Sequence, residues 1–207
     1  MRHPARTLTS LALTAAALTA CTESGTPTPT TGGANNTGTT TSSSAAAPDN
    51  TYGAPRVTDP IDAAALIDKP CALLTPAQVA TLGLATQGKQ DEAQGSQYCS
   101  WPSADEREDY TIGWLNPNKG GLSDHYRANQ TISNFAAYFE PTTVSGYPGV
   151  FTAGQDRRGI GSCNLVVGIR DELTFRVGAA GGPKGKACDD KIKQIAEQAI
   201  ATMKNGG

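Results

Sequence analysis

The stretch CNLVVGIRDELTFRV, residues 163–177, decides the fold. Leu165, Val167 and Ile169 alternate with other residues, and so do Leu173, Phe175 and Val177, which is the two-residue period of a half-buried strand. Residues directly opposite in a hairpin share a face. A two-residue loop at Asp171-Glu172 would pair Ile169 with Thr174 and put the two apolar series on opposite sides. A three-residue loop, Arg170-Asp171-Glu172, pairs 169 with 173, 167 with 175 and 165 with 177, all apolar. The spacing therefore predicts an antiparallel hairpin with an odd loop.

Working outward, Cys188, Ile192, Ile195, Ala196, Ala199, Ile200 and Met203 recur with a 3.6-residue period. They predict an amphipathic helix over about 188–204, with Asp189 and Asp190 at its positive N-terminus and Gly206 just past its end. Towards the N-terminus, Thr75 is an N-cap, Pro76 fills the first helical position and Gln78 completes a Thr-x-x-Gln capping box. Leu74 and Val79 stand in hydrophobic-staple positions and Gly83 supplies a stop, so a short helix is expected over about 76–82. Tyr98-Cys99-Ser100-Trp101 and Tyr110-Thr111-Ile112-Gly113-Trp114-Leu115 read as neighbouring antiparallel strands. Ser123 can cap a helix over roughly 124–130, and a strand near Thr142–Phe151 contains Pro148, which argues for an edge or a bulge. The order α-β-β-α-β-β-β-α predicts an α+β fold, an antiparallel sheet packed by N-terminal and C-terminal helices.

The start of the chain has a different character. Arg2, His3 and Arg6 form a basic region, Leu8 to Ala20 an apolar one, and Leu18-Thr19-Ala20-Cys21 reads as a lipobox. Thirteen residues are too few to span a bilayer, which takes roughly 20. Residues 1–20 are thus expected to be a lipoprotein signal peptide, with Cys21 lipidated and anchored stably by at least two acyl chains such as palmitate. From Thr22 to about Asp59 the composition turns to Thr, Ser, Pro, Gly, Ala and Asn, with ten threonines from Thr22 to Thr51. A segment so poor in large apolar side chains cannot offset its ordering entropy, and residues 21–65 are expected to form a disordered tether. As a flexible coil it reaches about 35–40 Å. Residues 66–207 then make one extracytoplasmic domain.

Removing the first 20 residues takes two of 17 basic residues and none of 19 acidic ones, leaving 15 minus 19, or −4. This charge argues against a nucleic-acid partner. With Cys21 lipidated, Cys71, Cys99, Cys163 and Cys188 remain, an even number that implies two disulfides in an exported chain, with three pairings possible. A bridge needs Cα atoms about 4.4–6.8 Å apart. Cys71 precedes a helix and Cys99 starts the next strand, while Cys163 starts the hairpin and Cys188 the helix after it. The geometry favours Cys71–Cys99 and Cys163–Cys188. No spacing suits a metal, and the only histidine beyond residue 20 is His125.

Catalytic signatures are lacking. Ser123-Asp124-His125 groups three catalytic residue types, but a triad needs them to converge from separate places, so an N-cap followed by surface residues is expected. GAAGGPKG, residues 178–185, leads into a helix N-terminus but matches neither a P-loop nor a dinucleotide fingerprint. Arg157-Arg158 beside Gly159 reads as a solvated loop. Trp101, Trp114, Phe175 and Ile195 are the candidates for lining a ligand pocket between sheet and helix, although aromatics at strand spacing are more often core.

Pro70-Cys71-Ala72-Leu73-Leu74-Thr75, Cys99-Ser100-Trp101, Phe139-x-Pro141, Gly146-Tyr147-Pro148, Cys163 opening a strand pair and Cys188 opening the last helix form a set. This set resembles the actinobacterial cell-envelope lipoproteins of domain-of-unknown-function family 3558, over about 68–204 together with the lipobox and tether. Gly149 stands where the family pattern has a small alanine. The resemblance implies an envelope location and no established activity, hence no catalytic residues to carry over; a Mog1/PsbP-like fold is implied by analogy alone. The expected role is that of a non-enzymatic lipoprotein without a cofactor, held by the lipid on Cys21 at the outer face of the cytoplasmic membrane and binding an envelope protein or polymer. The alternative is a carrier or sensor of a small apolar ligand or lipid.

Overall fold

The computed structural model describes residues 52–115 and 119–206. The expected signal peptide, the lipidation site Cys21 and the tether up to residue 51 lie outside the described residues. Seven antiparallel strands form one sheet: β1 (Lys89–Ala93), β2 (Ser96–Pro102), β3 (Asp109–Trp114), β4 (Tyr138–Val144), β5 (Tyr147–Ala153), β6 (Cys163–Arg170) and β7 (Leu173–Ala180). Their spatial order is β1-β2-β3-β7-β6-β5-β4. Three α-helices, α1 (Pro76–Thr81), α2 (Leu122–Thr131) and α3 (Lys186–Lys204), join short 3₁₀ turns at Ala64–Leu66, Pro70–Leu73 and Arg158–Ile160. The α+β class and the helices before and after the sheet are as expected.

The central hairpin reaches its odd parity by another route. Val167 pairs with Phe175 and Leu165 with Val177, as the alternation requires. The loop, however, has two residues, Arg170 opposite Leu173, and a bulge between Gly168 and Arg170 supplies the extra residue. Ile169 is that residue and is fully buried, so both apolar series still face the core.

Two strands go beyond the five expected. All five β1 residues are exposed, so this charged edge strand has no apolar alternation to read, and it pairs with β2 through a tight turn with positive φ at Gln94 and Gly95. The segment read as one strand near Thr142–Phe151 is the β4–β5 hairpin, turning at Ser145-Gly146, where both φ angles are positive. Pro148 lies opposite Thr143 of edge strand β4 and just ahead of the β5–β6 ladder, which begins at Gly149, so its missing N–H costs the sheet nothing.

One sheet face carries the main core. Trp101, Tyr110, Ile112, Trp114, Leu165, Phe175 and Val177 meet Ile192, Ile195, Ala196, Ala199 and Met203 of α3. The α1 capping box is present, with Gln78 N–H on Thr75 Oγ1 at 3.3 Å and Thr75 N–H on Gln78 Oε1 at 2.7 Å. Gln78 also does what local reading does not foresee. Its Nε2 donates to Gln198 O at 3.0 Å and its Oε1 accepts from Thr202 Oγ1 at 2.8 Å, fastening α1 to α3. Gln198, which lies off the apolar stripe of the last helix, is half-buried beside this contact.

On the other face, α2 sets Leu122 on Val150 and Val166, and Tyr126 edge-on against Phe139. Ser123 does not cap α2. The cap residue is Gly121, at φ +53, where a Cβ would fall 2.2 Å from Asp171 O; this close approach to the hairpin tip leaves no room for a side chain.

The disulfides are Cys71–Cys99 and Cys163–Cys188, with Cα separations of 5.0 and 6.1 Å. Residues 54–66, in the stretch whose composition reads as the tether's end, run along the domain. Ala54, Ile61, Ala63 and Leu66 are buried, Val57 N–H donates to Asp171 Oδ1 and Ile61 N–H to Ile169 O. Their apolar residues are small or isolated, so no period announces the packing.

Candidate functional site

All four candidate pocket residues are core. Trp101, Trp114, Phe175 and Ile195 are buried, Trp114 meets Phe175 edge-on, and the Trp114 indole N–H donates to Leu66 O at 3.0 Å. These side chains fill one another's space, and clefts on the described surface are lined by other residues.

The Ser-Asp-His run forms no triad. Asp124 accepts from Gly120 N–H and from Arg127, and burial of its carboxylate is outweighed by these bonds, so it titrates below the usual range. His125 packs against Phe135, and burial lowers its pKa despite the neighbouring Asp124.

Arg158 corrects the solvated-loop reading. Its guanidinium stacks 3.9 Å over the Tyr138 ring and reaches Asp156 at 2.7 Å, Glu140 at 2.9 Å and Asp189 at 3.3 Å. One cation thus ties its own turn to β4 and to the first turn of α3. Burial raises the Asp189 carboxyl above its ordinary range, against the hydrogen bond and charge of Arg158. Beside it, Gly161 N–H donates to Arg158 O, Gly185 N–H to the same carbonyl and Gly182 N–H to Gly161 O. Gly161, at φ +78, is required here because a Cβ would fall 2.0 Å from Gly182 O. The glycine-rich run is therefore a packing device, and Asp189 already supplies the negative charge that the α3 N-terminus favours. Among the described residues no group of His, Cys, Asp or Glu could hold a metal ion.

A different arrangement forms at the hairpin tip. The Ala64–Leu66 turn, the end of β3 and the β6–β7 tip enclose a groove of about 520 Å³. Ile67, Leu115 and Leu173, half-buried, form its floor, with Lys119, Arg170 and Glu172 at the rim. Arg170 Nε lies 2.7 Å from Glu172 Oε1. Sequence reading missed this groove because nothing local sets Ile67 opposite Leu173; only the path of residues 54–66 around the hairpin does so. Leu115 and Leu173 both read as strand residues; Leu173 opens β7, whereas Leu115 lies just past the end of β3.

Among the described residues no helix is long and apolar enough to cross a membrane. No curated protein and no solved structure matches the chain. A family model described as "Protein of unknown function (DUF3558)" matches residues 16–202, which spans the groove, both disulfides and nearly all of the helix–sheet core, and the chain belongs to that family.

Proposed function

We propose that this protein is a lipid-anchored extracytoplasmic lipoprotein whose domain is a non-enzymatic binding module for an envelope protein or polymer. The observation that carries the reading is the run Leu18-Thr19-Ala20-Cys21 at the end of a short apolar segment, followed by a Thr/Ser/Pro-rich stretch. Two disulfides in one small domain add support, since such bridges persist in oxidising compartments and are rare in reducing ones. In the Ser123-Asp124-His125 run, Asp124 is bonded to Gly120 N–H and Arg127 and His125 packs against Phe135, which does not favour a catalytic reading over a binding role. The alternative, carriage of an apolar ligand between sheet and terminal helix, loses its supporting observation because Trp114, Phe175 and Ile195 fill that space. Membrane fractionation tests the anchor. Cys21→Ser should move the protein to the soluble fraction with an unchanged melting temperature, and retention of that variant on membranes would refute the lipobox reading.

A further inference from the structure

We infer that the groove at the hairpin tip binds a single-chain anionic amphiphile, its chain lying on Ile67, Leu115 and Leu173 and its head group at Lys119. The groove volume of about 520 Å³ falls within the roughly 300–1,000 Å³ of small-molecule sites. Elsewhere on the described surface, Ile132 and Ile160 are the exposed large aliphatic residues and stand singly, as on any protein. At the groove, three such side chains from separate segments converge half-buried. Its walls are held in place, with Trp114 Nε1 on Leu66 O at 3.0 Å and Ile61 N–H on Ile169 O at 3.1 Å. A preformed apolar floor needs little ordering when a chain binds.

Charge selects the head group. Glu172 is engaged by Arg170 at 2.7 Å, and Asp62 accepts the Ala64 N–H at 3.0 Å. Arg170 and Glu172 cancel, Asp62 keeps its charge, and among the described residues no carboxylate forms an ion pair with Lys119, so its ammonium is the cation placed to meet a head group. A carboxylate or a phosphate monoester on an alkyl chain supplies the matching anion. The inference goes beyond the binding-module reading, since an amphiphile is neither an envelope protein nor a polymer, and it stands on the groove itself.

The test uses the mature chain carrying Cys21→Ser, so it proceeds whether or not the wild-type protein is anchored, and failure of the anchor reading shows separately in fractionation. Bromoundecanoate is titrated while tryptophan fluorescence is read, since Trp114 underlies the groove wall. Saturable quenching at one ligand per chain is expected. Leu173→Arg and, independently, Ala64→Phe, which fills the groove from an exposed position, should abolish it with circular dichroism unchanged. Lys119→Ala should weaken it about tenfold. Competition by dodecanoate or by dodecyl phosphate identifies a fatty-acid or a lipid-phosphate source, and dodecyltrimethylammonium should not compete. Absence of saturable quenching, equal competition by the cationic chain, or quenching that survives Ala64→Phe would each overturn the inference.

Discussion

Replacing Gln78 by Ala tests whether the capping residue of α1 also fastens the helix to α3. The substitution deletes three hydrogen bonds: Thr75 N–H to Oε1 at 2.7 Å, Thr202 Oγ1 to Oε1 at 2.8 Å, and Nε2 to Gln198 O at 3.0 Å. At roughly 0.5–1.5 kcal/mol each, the gross loss is about 1.5–4.5 kcal/mol. The Thr75 arm is exposed, where water replaces the lost acceptor, and Thr202 Oγ1 retains a 3.2 Å bond to Gln198 O. The net cost therefore lies near the lower half, about 2 kcal/mol, which for a domain of this size lowers the melting temperature by about 4–8 °C. Thr75→Ala removes only the 3.3 Å bond to Gln78 N–H and should cost about 1 kcal/mol, or roughly 2–4 °C. The assay is thermal unfolding by circular dichroism of both single variants, Thr202→Val, and the Gln78→Ala/Thr202→Val double variant. A coupling of about 0.5–1 kcal/mol is expected for groups in direct contact. If Gln78→Ala costs no more than Thr75→Ala and the cycle shows no coupling, the arms across to α3 hold nothing, and α1 docks through Val79 and Leu82 alone.

Two further expectations concern the core and its pH response. Ile195→Ala removes a fully buried side chain from the α3–sheet interface and should cost about 2–5 kcal/mol in denaturant unfolding, whereas Gln194→Ala, exposed on the same helix, should stay within about 0.5 kcal/mol; equal effects would mean α3 is not docked by that face. Burial holds the His125 pKa below its ordinary 6.5, so the unfolded chain takes up the proton first and stability falls as pH drops through 6.5. Melting temperatures of the mature chain between pH 7.5 and 5.5 should decline, and His125→Gln should flatten that segment; parallel slopes for the two proteins would contradict the assignment.

Local chemistry sufficed for much of this protein. The capping box at Thr75–Gln78, the apolar stripe from Cys188 to Met203 and the alternation in Leu165–Val177 each depend on neighbours within a few residues, so periodicity and capping rules reach them directly. Both disulfides followed from placing each cysteine at the start of an element packed against its partner's. Tertiary structure decided what had no local period. The exposed edge β1 is held by backbone pairing and by polar side chains, Gln90 donating to Asp68 O and Gln97 to Glu92, the bulge at Ile169 corrects parity that a loop length could equally have corrected, and Arg158 is a half-buried hub only because Glu140 and Asp189 arrive from β4 and α3. The groove is the extreme case. Ile67, Leu115 and Leu173 are unremarkable as sequence, and they become one surface because the Ala64–Leu66 turn is carried around the hairpin tip by hydrogen bonds to residues more than 100 positions away.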